Sequence, residues 1–70
     1  MKEIKANMAG NMWKITAKVG DEVKIGDTVA ILESMKMEIP VESEFSGTVK
    51  EINVNEGDFI NDGDTVVTLD

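Results

Sequence analysis

Apolar residues recur in short runs along this chain, such as Thr28-Val29-Ala30-Ile31-Leu32 and Thr65-Val66-Val67-Thr68-Leu69, and turn signals bound each run. Gly20-Asp21 and Gly26-Asp27 punctuate the first half, Gly57-Asp58 and Gly63-Asp64 the second. Helical periodicity is not sustained. A glycine interrupts nearly every ten-residue window outside 27–46, and that stretch is rich in β-branched residues and contains Pro40. Short strands between tight turns fit the pattern, near 2–8, 12–18, 22–25, 28–34, 37–43, 48–55, 59–62 and 65–69.

The two halves repeat one another. A shift of 37 residues lays 4–33 on 41–70 without a gap, matching Gly10 with Gly47, Ile15 with Ile52, Gly20-Asp21 with Gly57-Asp58 and Leu32 with Leu69. Gly26-Asp27-Thr28-Val29 falls on Gly63-Asp64-Thr65-Val66. The chain therefore reads as one domain, 1–70, made of a duplicated half. Two such halves pack most simply about a pseudo-two-fold axis, as a flattened eight-stranded all-β barrel or sandwich with one core. Within it, Lys50 and Glu51 stand together between Val49 and Ile52, so alternation fails there and a β-bulge at 50–51 is expected. The matching pair is Trp13-Lys14, which puts the indole of Trp13 partly exposed on the outer surface, as an edge cover or a partner contact. Ile31 and Leu32 are adjacent apolar residues that face opposite sides.

Symmetry also places the joining segment 34–40 and the chain termini at equivalent, opposite ends. Met35-Lys36 becomes the tip of a hairpin. Two-residue hairpin loops favour Asn-Gly or Asp-Gly, which reach positive φ easily, and Met-Lys breaks that preference. Such a break marks either a functional site or an ordinary exposed lysine.

Composition narrows the function classes. Seventy residues without cysteine form a marginal core, with neither disulfides nor thiolate metal sites to reinforce it, and suit a reducing compartment, the cytosol by default. No apolar run matches a membrane span or a signal segment, so a soluble chain with no membrane association is expected. The net charge is −7 and every basic residue is lysine, which argues against nucleic acid as a partner. Without His, Cys, Arg or Tyr, no Ser-His pair, thiolate or imidazole site can be assembled, and no catalytic or metal-ligating residue is assigned. Asp58, Asp62 and Gly63 have a superficial likeness to a calcium loop that fails at Ile60 and Leu69, where oxygen ligands would be needed.

Glu33-Ser34-Met35-Lys36-Met37-Glu38, preceded by Gly20-Asp21-Glu22-Val23 and Gly26-Asp27-Thr28-Val29 and followed by Ser46-Gly47-Thr48-Val49 and Glu56-Gly57-Asp58, closely resembles the biotinyl domains of biotin-dependent carboxylases. The resemblance covers essentially the whole chain. Met8-Ala9-Gly10-Asn11-Met12-Trp13 and Ile39-Pro40 make it most similar to the short biotin/lipoyl attachment proteins, relatives of the biotin carboxyl carrier protein of enzymes such as acetyl-CoA carboxylase. Lys18-Val19-Gly20-Asp21-Glu22 leaves no room for the protruding thumb of the longer carriers. No linker or attached catalytic domain is visible, so a free-standing carrier or an excised domain is expected.

The resemblance implies a barrel-sandwich hybrid. It implies covalent biotin on Lys36, flanked by Met35 and Met37, with Glu33, Ser34 and Glu38 recognised by a biotin protein ligase. The modified lysine would be a swinging arm that carries carboxylate between a biotin carboxylase and a carboxyltransferase. The chain would be a carrier, not an enzyme. A solvated lysine amine is a charged ammonium at neutral pH, so activation must come from the ligase and its acyl donor. Lipoate on the same lysine is the alternative; lipoyl domains more typically show Asp-Lys-Ala at this tip. A third reading is an unmodified adaptor.

Overall fold

The structure is a computed structural model that describes residues 2–70. Its elements are all strands: β1 (Lys2–Lys5), β2 (Gly10–Ile15), β3 (Glu22–Val23), β4 (Thr28–Ser34), β5 (Met37–Glu42), β6 (Gly47–Ile52), β7 (Phe59–Ile60) and β8 (Thr65–Leu69). They form two four-stranded antiparallel sheets, ordered β1-β8-β6-β3 and β5-β4-β2-β7. Exchanging β1–β4 for β5–β8 converts one order into the other. That exchange is the pseudo-two-fold of the fold.

Four turns of one design separate the short strands. In each, a glycine at φ 91–95° occupies the third position, and the following Asp amide donates to the carbonyl of the first residue, as a type II turn requires. The Asp carboxylate then accepts from that first residue's amide. Lys18, Lys24, Asn55 and Asn61 donate to Asp21, Asp27, Asp58 and Asp64 at 2.9, 2.9, 3.0 and 2.9 Å. These bonds explain why β3 and β7 are two residues long where four were expected at 22–25 and 59–62. Lys24 and Asn61 already begin the next turn.

β1 likewise stops at Lys5 instead of running to residue 8, because the backbone of Ala6 bonds to the turn at Gly63 and Asp64. β2 begins at Gly10 and ends at Ile15, short of the expected 12–18, since the amides of Thr16 and Ala17 both converge on the Val29 carbonyl. β6 ends at Ile52 rather than 55 for the matching reason: Asn53 donates to Val66.

The register shifts between Val49 and Glu51 on β6, the expected bulge, and between Met12 and Lys14 on β2. A second matched pair of irregularities was not anticipated. Val29 and Val66 are the unpaired residues of β4 and β8. By turning β4 at Val29, the bulge lets Val29 and Ala30, neighbours in sequence, both be buried, while Ile31 remains half-exposed and Leu32 is buried.

The core lies between the sheets and is built from matched positions: Ile4 and Val41, Met12 and Val49, Val23 and Ile60, Val29 and Val66, Leu32 and Leu69. Each such side chain contributes about 1.5–3 kcal/mol on burial. No buried side-chain polar atom among the described residues lacks a hydrogen-bond partner.

Candidate functional site

β4 and β5 form a continuous hairpin in the register Leu32↔Ile39, Glu33↔Glu38, Ser34↔Met37, leaving Met35 and Lys36 as a two-residue loop. Met35 has φ 51° and Lys36 φ 63°; among the described residues they are the only non-glycine residues in the left-handed region. Two successive positive φ values are the signature of a type I′ turn, whose twist matches that of the flanking strands. The fold therefore accepts at this tip a backbone cost of order 1–3 kcal/mol per residue that Asn-Gly would largely avoid. The cross-strand ladder beneath holds the conformation in place.

Lys36 is exposed and takes part in no hydrogen bond or ion pair among the described residues. Met35 is 89% exposed and Met37 59%. Strand alternation puts Ser34 and Met37 on the side of the core residues Leu32 and Val41, just past the end of the core, and leaves Ser34 half-buried. Glu33 and Glu38 face each other directly across the ladder on the outer side. Like charges opposite one another destabilise a sheet. The structure thus gathers all six residues of 33–38 into one protrusion, with an exposed methionine on either side of Lys36 in the chain and two carboxylates on one flank.

The Gly10 backbone, on β2, carries weight that its place in the repeat only hinted at. A Cβ there would stand 2.8 Å from the Glu33 carbonyl oxygen, so any side chain would push β4 away at the base of the tip. Gly47 has the same relation to the Asp70 carbonyl oxygen, also at 2.8 Å. The signal was present in the sequence. These are the matched glycines not followed by Asp, so they belong to no Gly-Asp turn.

Elsewhere the chemistry is sparse. Among the described residues, no group of three or more His, Cys, Asp or Glu is arranged to hold a metal ion. Asp58 and Asp64, in the segment with a partial likeness to a calcium loop, instead accept from the amides of Asn55 and Asn61 within their own turns. A shallow groove of about 480 Å³ runs between β1 and the bend after β5, lined by residues including Lys2, Ile4, Glu42 and Phe45, at the end of β5 away from the turn. Nothing encloses Lys36. An exposed primary amine at the apex of a strained turn is suited to be acylated by another enzyme and to carry what it receives.

Comparison with known proteins adds to this geometry. The profile of a protein family described as "Biotin-requiring enzyme" matches residues 2–69. The chain is 53% identical over 66 residues to a biotin/lipoyl attachment protein of Bacillus subtilis, covering 94% of this chain and 90% of that one. It is 40% identical over 67 residues to pyruvate carboxylase of the same organism, and spans 6% of that enzyme's length. The crystal structure of Kluyveromyces lactis urea carboxylase contains a region that superposes with a TM-score of 0.90 at 38% identity, covering 97% of this chain and 6% of that one.

Proposed function

The chain belongs to the family of biotin-requiring enzymes, and from that premise we propose that Lys36 is the residue to which biotin is joined. The family membership makes the protein a biotin carrier, a component of carboxylase systems rather than a catalyst in its own right. The observation that carries the assignment of the lysine is the turn: Lys36 alone among the lysines stands at a left-handed apex, exposed and unpaired, between two exposed methionines.

The residues present fit that group. In the modification step the Lys36 amine, after losing a proton, attacks the activated carboxyl carbon of biotin; an amide bond forms, and the activating group leaves with the electron pair of the bond it breaks. The ammonium charge is lost. Joined to Lys36, biotin would supply the carboxylate-carrying chemistry that the chain's own side chains lack. The chain provides the rest. The hairpin holds the attachment point clear of the barrel, and the four methylenes of Lys36 give the arm its swing. Met35 and Met37 offer polarizable apolar contact to whatever closes over the tip. Glu33, Ser34 and Glu38 form the flank that a biotin protein ligase would read.

The partners that follow are that ligase, a biotin carboxylase and a carboxyltransferase, meeting the carrier in the cytoplasm. Among the described residues no helix is long and apolar enough to cross a membrane. Intact-mass measurement of native protein, with peptide mapping, tests the assignment. A biotinyl increment on the peptide containing Lys36 is the expected result. A lipoyl increment, or biotin on another lysine, would overturn it.

A further inference from the structure

The repeat provides an internal reference for every surface position, because the outer faces of the two sheets are built on the same backbone. Where the fold requires nothing of a position, its partner 37 residues away shows what a neutral choice looks like. On the β1-β8-β6-β3 face the choices are polar. Glu3 pairs with Thr68, which lies opposite the Lys50-Glu51 bulge, and Glu22 pairs with Thr48. A polar network ties this face down: Thr68 donates to Asn53, whose side-chain amide donates to Glu51, each at 2.8 Å.

The face that bears the lysine turn differs at each of these places. Pro40 stands where Glu3 does, Ile31 where Thr68 does, Trp13 where Lys50 does and Phe59 where Glu22 does. Pro40, Ile31 and Trp13 form one row across β5, β4 and β2, since Ile31 pairs with Pro40 and the Trp13-Lys14 bulge lies opposite Ile31. The next row toward the turn runs Glu38, Glu33, Asn11 and ends on Phe59. Trp13 is 48% exposed and Phe59 63%. The other sheet shows that the barrel stands with polar residues at these sites, so folding does not explain the apolar ones.

From this we infer that the outer face centred on Trp13, Ile31, Pro40 and Phe59 is a docking surface for the carboxylase that uses the arm. The inference rests on the assignment of Lys36. Its charge decides among occupants. A second copy packed here about a two-fold would bring Glu33 and Glu38 against their own kind in a chain of net charge −7. The fitting partner is a protein surface with an apolar centre and Lys or Arg where it meets those two carboxylates. Position decides between ligase and carboxylase. The apolar row lies about 13 Å along the hairpin from Lys36, four residues at the rise of a strand. A ligase must bring the bare amine to its reacting carbon and so closes over the tip itself; an enzyme that receives the lengthened arm has room to seat on the body of the sheet.

The test compares the full chain with Trp13→Lys/Phe59→Glu, which installs the residues that the opposite sheet tolerates, and with Glu22→Ala/Thr48→Ala on that opposite sheet. All three are biotinylated by a biotin protein ligase, followed by intact mass, and offered to a purified biotin carboxylase subunit from the source organism. KM and kcat are read from carrier-dependent ATP hydrolysis. The Trp13/Phe59 variant should be biotinylated at the wild-type rate and show KM raised about tenfold or more with kcat within about twofold, since an exposed tryptophan at an interface centre is commonly a dominant contact. The control should match wild type. Thermal unfolding verifies folding, and Trp13→Lys alone serves if the double variant is unstable. Unchanged KM, an equal rise in the control, or slowed ligation would overturn the proposal. A wild type with no biotinyl increment, seen before any kinetics, fails at the Lys36 assignment and takes this proposal with it. A wild type biotinylated on Lys36 but not used by the carboxylase overturns the proposal while leaving that assignment standing.

Discussion

The turn at Met35-Lys36 and the place where the start of β1 pairs with the end of β8 are equivalent, one in each sheet. Leu32 pairs with Ile39 beneath the turn as Leu69 pairs with Lys2 beneath the ends. Both places rest on a glycine that permits close approach, Gly10 against Glu33 and Gly47 against Asp70. The barrel treats them alike, yet among the described residues strained non-glycine backbone, carboxylates paired across the ladder and exposed thioethers are found at the turn and not at the ends. Features that the fold demands come in pairs, and features that it does not demand stand alone. The unpaired set is where function is to be sought.

Five substitutions would break or sharpen this contrast. The largest effect belongs to Lys36→Arg, which keeps the charge and removes the primary amine. Modification should fall to nothing while stability stays within about 0.5 kcal/mol of wild type, as for other exposed sites. Mass spectrometry and denaturant unfolding read the two quantities. A variant still recognised by streptavidin would show that the unpaired turn is not the attachment site.

Gly10→Ala and Gly47→Ala come next. Each should destabilise by about 1–3 kcal/mol, because the added methyl meets a backbone oxygen that cannot rotate aside. Only Gly10→Ala should also slow biotinylation, since it alone displaces the hairpin. If both variants slowed ligation equally, the close approach at Gly10 would have no special bearing on the tip.

Met35→Asn addresses the strain itself. Asparagine tolerates the left-handed region better than methionine, so the variant should be more stable by about 1 kcal/mol, measured by urea unfolding. A loss of stability would mean that the Met35 side chain has packing value in the isolated domain, contrary to its exposure. The smallest effect is expected for Glu38→Lys, which replaces a like-charge pair across the ladder with an opposite one. A gain of about 0.2–1 kcal/mol that shrinks at high salt would fit, and an effect insensitive to salt would point away from electrostatics.

Much was legible before any coordinates. Each Gly-Asp turn announced itself, because glycine is the residue that takes positive φ at no steric cost and aspartate is the one that closes the turn with its carboxylate. The lysine at the midpoint was visible as a breach of hairpin preference and as part of a motif with a known resemblance. The bulge at Lys50 could be read because a phase error in alternation has no other inexpensive resolution. Strand ends were harder. Ala6, Thr16 and Asn53 look as strand-like as their neighbours, and only the distant carbonyls of Asp64, Val29 and Val66 that their amides find decide where pairing stops.

Local chemistry, then, let the sequence alone determine the all-β class, the turns, the matched core positions and the candidate lysine, since each depends on residues a few positions apart. Tertiary structure decided the rest: which strands share a sheet, the bulges at Val29 and Val66, the support of the tip by Gly10, and the gathering of Trp13, Ile31, Pro40 and Phe59 on one face. Those four come from four different strands. Hydrogen-bond register between segments far apart in the chain brings them together, and no pattern within a single strand contains that information.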